Sequence, residues 1–583
     1  MSFSVRLRAL SLLFILGFAI IALRLFFWQI RSADSLAAIA DAQHFSTLVI
    51  PAKRGEILSA DNNVLVANQP AFMLYADLRL FKNNPAETAE KLTPLLMADM
   101  NIPATDSAEP QKVASDLKEN LTRLLGQEGS FWTVLRHNLS RKTKEEIANL
   151  KVGGLGFEEE QTRFYPEASM AAQLFGFVGS DENGTPKGYF GLEGYYDREL
   201  AGRPGLKKLE RDAFNRPIAI GSEFNEPSED GRSLLTSVDR NVQQIVEEKL
   251  QAGMKDWDAP EGTAIVADPY SGKIIAMASF PAYDPANYAF YPENNYDNPA
   301  VAEAFEPGSI IKPLIMAAAI NEGKVKPETV CDRCAGPRQI EGGIIRTFNN
   351  KYHPNTTMTE TLENSDNTGM VFVGEKLGKE KLLHYLDIYG FGGKTGIDLQ
   401  GEEAGTFDPG KDWYPLDLAT LTFGQGIAVT AVQMIRGYCA LANGGMLVTP
   451  QVVTSVRDGD RAVEIKPKIG PRVLSEATTK TIAEMMVSVT EKSPLHFPRD
   501  RIAGLSRFKI AAKSGTAQIA IAGHYAQGKT IGSVIGFAPA DNPKFLLLVK
   551  LNEPAVRPWG SDTAGPIFFA IAHDLLLYYG ISP

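Results

Sequence analysis

The chain is 583 residues long, more than a single hydrophobic core usually organises, so two or three domains are expected. Apolar residues make up 44% and charged residues 22%, which excludes a disordered chain, and a net charge of -10 lacks the basic surplus of a nucleic-acid-binding protein. Three cysteines, Cys331, Cys334 and Cys439, are too few for a disulfide framework.

Arg6 and Arg8 precede an apolar run from Ala9 to Leu23, which resumes after Arg24 as Leu25, Phe26, Phe27 and Trp28. The stretch 9–30 is long enough as a helix to cross a bilayer, which takes about 20 residues. Arg24 can snorkel and Trp28 suits the interface. The basic start predicts residues 1–8 in the cytoplasm, 9–30 as a single-pass anchor in the cytoplasmic (inner) membrane, and the bulk of the chain extracytoplasmic. The rival is a cleaved signal peptide. No small-x-small site directly follows the run, although Ala37, Ala38 and Ala40 come soon after.

Residues 31–230 read as a mixed pedestal domain. Arg54-Gly55-Glu56-Ile57-Leu58 and Val64-Leu65-Val66 predict two short strands around a polar turn. Residues 83–126 carry helical spacing, with Pro85 and Pro103 as breaks, and the Lys/Glu runs at 140–151 suggest a solvated helix face. A second unit, 231–583, begins with a strand at Leu234–Val238 and a helix capped by Asp239, with Val242, Ile245, Val246 and Leu250 on one face. Thr263–Ala267 and Lys273–Ser279 flank Asp268-Pro269-Tyr270-Ser271-Gly272 as a hairpin. Ser533–Ala538 and Lys544–Leu551 repeat the idea, and a helix over Ile567–Tyr579 closes the chain. Strands at both ends around a helical middle predict an α/β (α+β) domain whose sheet pairs its first and last segments.

Glu306-Pro307-Gly308-Ser309-Ile310-Ile311-Lys312 leads into the apolar run Leu314–Ile320. The Pro-Gly turn places Ser309 at or just inside a helix N-terminus, where free N–H groups favour developing negative charge. Lys312 falls on the same face. A serine hydroxyl needs a nearby base, and a lysine serves only if burial or a neighbouring cation depresses its pKa. Alone, such a pair is usually an N-cap with a surface lysine. Two further segments change the weight. Ser365-Asp366-Asn367 offers a hydroxyl to relay a proton and an amide to hold a peptide. Lys513-Ser514-Gly515-Thr516 follows a predicted strand, Phe508–Ala512, whose edge can add an extended peptide by backbone hydrogen bonds. Gly515 permits close approach, while Lys513 and Thr516 can bind a carboxylate.

In these three segments the chain resembles the active-site-serine penicillin-binding proteins and β-lactamases, with their S-x-x-K, S-x-N and K-[ST]-G motifs. Arg54-Gly55-x-Ile57, Arg163-Phe164-Tyr165-Pro166, Gly191-Leu192-Glu193 and Leu200-Ala201-Gly202-x-x-Gly205 are similar to class B pedestal motifs. Phe423-Gly424-Gln425-Gly426 and Gly536-Phe537-Ala538-Pro539 are similar to transpeptidase-domain motifs. The resemblance implies a D,D-transpeptidase that cross-links peptidoglycan. Ser309 would attack a D-Ala-D-Ala stem peptide and Lys312 would act as base. Ser365 would relay protons and Asn367 would hold the donor amide. Lys513, Ser514, Gly515 and Thr516 would bind substrate, with an oxyanion hole from the N–H groups of Ser309 and Thr516. It also implies inhibition by β-lactams, a groove between a sheet and a helical lobe, and no metal or cofactor. With no glycosyltransferase domain apparent, the implied partners are a polytopic membrane glycosyltransferase of the shape/division family and other divisome proteins. Glu306-Pro307-Gly308-Ser309, Asn367-Thr368-Gly369 and Lys376-Leu377-Gly378 look more like division-type than elongation-type enzymes.

Other signals carry less. Glu402 and Glu403 stand roughly where a class A β-lactamase keeps its deacylating glutamate, but without that family's E-x-x-L-N pattern. Cys331-x-x-Cys334 is half a zinc ribbon without a second half, so a local disulfide or two free thiols is the better reading. Cys439 reads as core. A non-catalytic scaffold would be expected to lose a motif residue, and a β-lactam sensor would need a cytoplasmic output module.

Overall fold

The computed structural model describes residues 3–100, 102, 109–182, 184–210, 218, 223–521 and 524–583. The chain divides into two compact units, 1–54 with 202–231, and 55–201 with 232–583.

In the first unit the apolar N-terminal segment is helical from Phe3 to Phe26 and ends in a π-helical turn, Phe27–Arg31. These 29 residues form a helix long and apolar enough to span a bilayer, and none of its large apolar side chains is buried. A helix at Ala33–His44 follows, then a strand, Phe45–Ile50, that pairs antiparallel with Gly205–Glu210. Gly205–Glu210 pairs in turn with Glu223–Glu226.

The second unit begins with Ile57–Leu58 pairing antiparallel with Val64–Asp77 across the polar turn. The second strand is longer than expected, because it continues through Pro70 and pairs on different edges with Trp132–Leu139 and Leu155–Phe164. Pro85 does not break a helix. It starts one, Pro85–Asp99, behind the Asn84 side chain, which accepts from the N–H groups of Ala86 and Glu87. The helix carries a second proline, Pro94, in its interior. Pro103 lies outside the described residues. The charged run at 140–151 is the helix Arg141–Asn149, capped by Ser140. Two of the pedestal motifs meet: Arg163 Nε donates to Glu193 Oε1 at 2.7 Å and Arg163 Nη1 to Asn68 Oδ1 at 2.9 Å, with both charged side chains buried.

Asp239 caps the helix Arg240–Trp257 by accepting from the N–H groups of Asn241 and Val242. Its buried face is Val242, Val246 and Leu250, joined by Gln243 rather than Ile245. Gln243 is satisfied there by both backbone groups of Met277. The hairpin Glu261–Ala267 and Ile274–Phe280 belongs to a sheet that, among the described residues, has five strands. Glu261–Ala267 pairs with Phe545–Asn552, which pairs with His524–Ala538, and Ala511–Ile521 completes the edge. The hairpin and the last strand of the domain thus lie side by side, but the first predicted strand, at Leu234–Val238, does not join them: it forms as Ser233–Thr236 in another sheet, antiparallel to Val453–Asp458 and parallel to Ile57–Leu58. Every residue of Phe545–Asn552 is buried, which accounts for the apolar run 545–549, and the buried Lys550 is paired with Glu303 at 2.7 Å. The closing helix, Ala564–Tyr578, buries Phe568, Phe569, Ile571 and Leu575. Cys331 and Cys334 form a disulfide, and Cys439 is buried in the helix Ala431–Ala442.

Cutting the buried pair should be costly where cutting an exposed one is not. Glu193→Ala leaves a guanidinium buried without its partner, a loss of about 3–5 kcal/mol. Lys142→Ala removes the exposed contact to Glu146, about 0–1 kcal/mol. Thermal unfolding of the two variants checks this, with a lowered midpoint expected for the first only.

Candidate active site

Ser309 sits in a short 3-10 turn, Gly308–Ile311, that runs directly into the helix Lys312–Asn321. The turn is held from several sides. Gly308 has φ +54 and donates its N–H to Gly424 O at 3.0 Å. Tyr438 Oη donates to Ile310 O at 2.5 Å. Glu306 accepts from Gly426 N–H at 2.9 Å and from Tyr525 Oη at 3.1 Å. Burial raises the Glu306 carboxyl above the ordinary range, and Tyr525 is pushed up to about 12 by burial and by Glu306.

Lys312 is fully buried, and its Nζ reaches the second motif: Ser365 O at 2.6 Å, Ser365 Oγ at 3.2 Å and Asn367 Oδ1 at 2.8 Å. Ser365 occupies a left-handed conformation, φ +51, just ahead of the helix Asn367–Leu377. Asp366 caps that helix, its Oδ1 accepting from the N–H groups of Thr368 and Gly369. Asn367 Nδ2 donates to Arg346 O at 3.1 Å.

The third motif lies inside a strand rather than at its end. The strand begins at Ala511, after the 3-10 turn Leu505–Arg507, and continues to Ile521. Polar and small residues at 513–518 hid this extension, since register with His524–Ala538 rather than apolar alternation carries it. Lys513 is 1% exposed, and its Nζ donates to Ser365 Oγ at 3.1 Å and to Ser514 O at 2.8 Å. Lys513, Ser514 and Thr516 all line the groove. Thr516 Oγ1 accepts from Gly560 N–H at 3.0 Å and keeps its own proton to donate. Gly515 lines the groove and also packs tightly on protein neighbours, with Ser533 Oγ the nearest atom to a Cβ placed there, at 2.8 Å. A Cβ there would lie 3.0 Å from Ile310 Cγ2 and 3.1 Å from Pro307 O, so its bareness lets the strand pack on the serine turn.

Electrostatically the site is unusual. Desolvation, then the charge of Lys513, pushes Lys312 well below the ordinary lysine value, with Asp366 opposing. Burial lowers Lys513 to about 7. A neutral Lys312 has two N–H groups, which match Ser365 O and Asn367 Oδ1, and a lone pair left to accept a hydroxyl proton.

Ser309, Ser365, Asn367, Lys513, Ser514, Gly515 and Thr516 line one groove of about 620 Å³. Lys312 lies beneath it. Three groove residues lie outside every sequence motif: Phe348 and Trp559, exposed aromatic rings that meet edge to face at 5.2 Å on the groove wall, and Glu363, which accepts from Lys492 at 3.2 Å. The available signal was Trp559-Gly560 in the polar loop before the closing helix. Glu402 is committed elsewhere, accepting from Thr395 N–H and Oγ1 and from Gly396 N–H. Among the described residues no group of three or more His, Cys, Asp or Glu is arranged to hold a metal ion.

The penicillin binding protein transpeptidase domain family matches residues 262–573, and the penicillin-binding protein dimerisation domain family matches residues 49–236. The chain is a class B penicillin-binding protein. Stage V sporulation protein D of Bacillus subtilis is 32% identical over 100% of this chain and 87% of its own length. The peptidoglycan D,D-transpeptidase FtsI of Escherichia coli is 27% identical over 98% and 91%. The fold is shared with penicillin-binding protein 2X of Streptococcus thermophilus, with a TM-score of 0.71 at 22% identity over 91% of this chain and 80% of that one. It is also shared with the aztreonam complex of penicillin-binding protein 3 from Mycobacterium tuberculosis, with a TM-score of 0.67 at 24% identity over 92% and 98%.

The penicillin-binding protein packs its serine turn so closely that added methyl groups should displace it. At Gly424, φ +82, a Cβ would lie 2.2 Å from Gly308 O. Gly424→Ala should slow acylation by penicillin on the order of 10²-fold, as misplacement of a reacting group by about 1 Å does. Stopped-flow acylation, with circular dichroism confirming the fold, checks this.

Proposed function

We propose that this penicillin-binding protein cross-links peptidoglycan stem peptides through an acyl-enzyme on Ser309. The observation that carries the reading is the convergence of two buried lysine amines on Ser365 Oγ, beneath the groove that Ser309 lines.

The steps balance on residues already placed. Lys312, neutral because it is buried beside Lys513, takes the Ser309 hydroxyl proton as Oγ attacks the carbonyl of the penultimate D-Ala. The N–H groups of Ser309 and Thr516 hold the oxyanion, a type of contact that contributes roughly 3–4 kcal/mol to the barrier. The proton on Lys312 passes through Ser365 to the leaving nitrogen, and D-Ala departs as the ester forms. An acceptor amine then attacks the ester, loses its proton along the same route, and Ser309 recovers its hydroxyl. Asn367 holds the donor amide. Ser514 and Thr516 receive the terminal carboxylate under the positive potential of Lys513. A β-lactam enters as a donor mimic whose leaving group stays tethered.

The setting follows from the same reading. Residues 9–30 anchor the chain in the cytoplasmic membrane, with Arg6 and Arg8 inside and the bulk of the chain outside. The division-type residues around Ser309, Asn367 and Lys376 support a septal role, with a polytopic membrane glycosyltransferase supplying the glycan and divisome proteins as further partners. Depletion should then give filaments. Shape loss with normal septa would contradict the septal role.

Two measurements test the chemistry. Fluorescent penicillin should label the wild type and not Ser309→Ala, and the label should survive a chase of many minutes. Rapid loss would point to a β-lactamase, and no label on folded wild type to a scaffold. The acylation rate should also be bell-shaped in pH, since Lys312 must be neutral and Lys513 charged. Because Lys513 loses its proton as pH rises through about 7, its titration sets the alkaline limb. Lys513→Arg should move that limb upward, because a guanidinium stays charged.

A further inference from the structure

The middle residue of the second motif has a partner outside all three motifs. Asp366 is buried, and one of its oxygens, Oδ1, is used by the helix N-terminus. The other, Oδ2, is buried with no hydrogen-bond partner among the described residues. It faces Nδ1 of His353 at 3.8 Å, and that nitrogen is also buried and unpartnered. The distance is long for a hydrogen bond and within reach of an ion pair. The His353 side chain is 41% exposed, so water and protons reach the imidazole, whereas the Asp366 side chain has no exposure at all.

Asp366 matters to the chemistry through its charge. Its neighbours in sequence, Ser365 and Asn367, hold Lys312 Nζ directly. A full negative charge on Asp366 favours the ammonium form of Lys312 and so opposes its use as a base. A cation beside Oδ2 offsets that charge. We propose that His353 is a positioning residue for the S-D-N segment, its imidazole set against Asp366 Oδ2 so that a cation there offsets the charge that Asp366 places beside Lys312. The inference rests on Lys312 acting as the base.

The other charged groups that bear on the pair are few. Glu360, on the helix Met358–Glu363, is held below the ordinary carboxyl range chiefly by hydrogen bonds from the backbone and side chain of Thr357, with smaller contributions from Lys492 and His353. It is a second negative charge near the imidazole. Lys492 pairs with Glu363 at 3.2 Å, and Lys312 is held by Ser365 and Asn367 on either side of Asp366 in sequence. Imidazole is the side chain that ordinarily changes charge between pH 5 and 8, so this contribution is expected to appear on the acid limb of acylation rather than at its plateau.

The test is the pH profile of penicillin acylation for the full-length protein in detergent, from pH 5 to 9. In His353→Gln the acid limb should move up by about 0.5–1 unit, read as a three- to ten-fold slower acylation near pH 6, with the plateau little changed. His353→Lys, which keeps a cation, should restore the wild-type limb. In an Asp366→Asn background, His353→Gln should no longer move the limb, because the charge that it offsets is gone. The proposal is overturned if the wild-type and His353→Gln profiles superimpose. It is overturned equally if His353→Gln lowers the rate by one factor at every pH, the mark of a purely structural role, or if the shift persists without Asp366. Failure of Ser309-dependent labelling in the wild type would instead sink the acyl-enzyme itself.

Discussion

Two lysine amines share one serine hydroxyl in the interior of this protein, and the rest of the site is arranged around that constraint. Ser365 Oγ lies 3.2 Å from Lys312 Nζ and 3.1 Å from Lys513 Nζ, and neither lysine has meaningful exposure. Two ammonium groups that close and that dry repel each other, so the pair is stable only with at least one amine largely neutral. A neutral lysine is what a serine nucleophile needs beside it. The energetic strain of burying the lysines and the chemical use of the site are therefore one property.

Holding this arrangement requires backbone from distant parts of the chain to approach closely. Gly515 lets the edge strand pack on the serine turn, Gly424 lets its own carbonyl accept from the Gly308 N–H at close range, and Tyr438 pins Ile310 from the core. Behind them the five-stranded sheet supplies rigidity, with the strand Phe545–Asn552 buried along its whole length. Sites built on strands and helices position their groups more closely than sites on loops, and here Lys312 opens one helix, Asn367 opens another, and Lys513 stands in a strand.

Much of this was legible in the residues. The hairpin at Glu261–Phe280, the Asp239 cap and the buried apolar run at 545–549 each have a local signature in hydrophobic period or turn chemistry, and each is present. Other features lacked such a signature. The strand Ala511–Ile521 extends through polar residues because its partner imposes the register. Gln243 replaces Ile245 in a buried face because Met277 offers it backbone partners, which sequence spacing does not show. Pro85 reads equally as a breaker or a helix start until the Asn84 cap is seen. The motif residues were recognisable by type and order, but their contacts were not. That Lys513 addresses Ser365, that Gly515 faces the serine turn, and that Phe348 meets Trp559 are long-range facts set by packing.

Catalysis by Lys312 depends on the protonation of the two buried amines. The most direct measurement is an NMR titration of the protein with isotopically labelled lysine side chains, using Lys513→Arg and Lys312→Arg to assign the two resonances. Two amines should titrate far from the rest, Lys513 near 7 and Lys312 well below the ordinary lysine range. If both instead titrate with the bulk near about 10.4, Lys312 is an ammonium at neutral pH and cannot serve as the base described here.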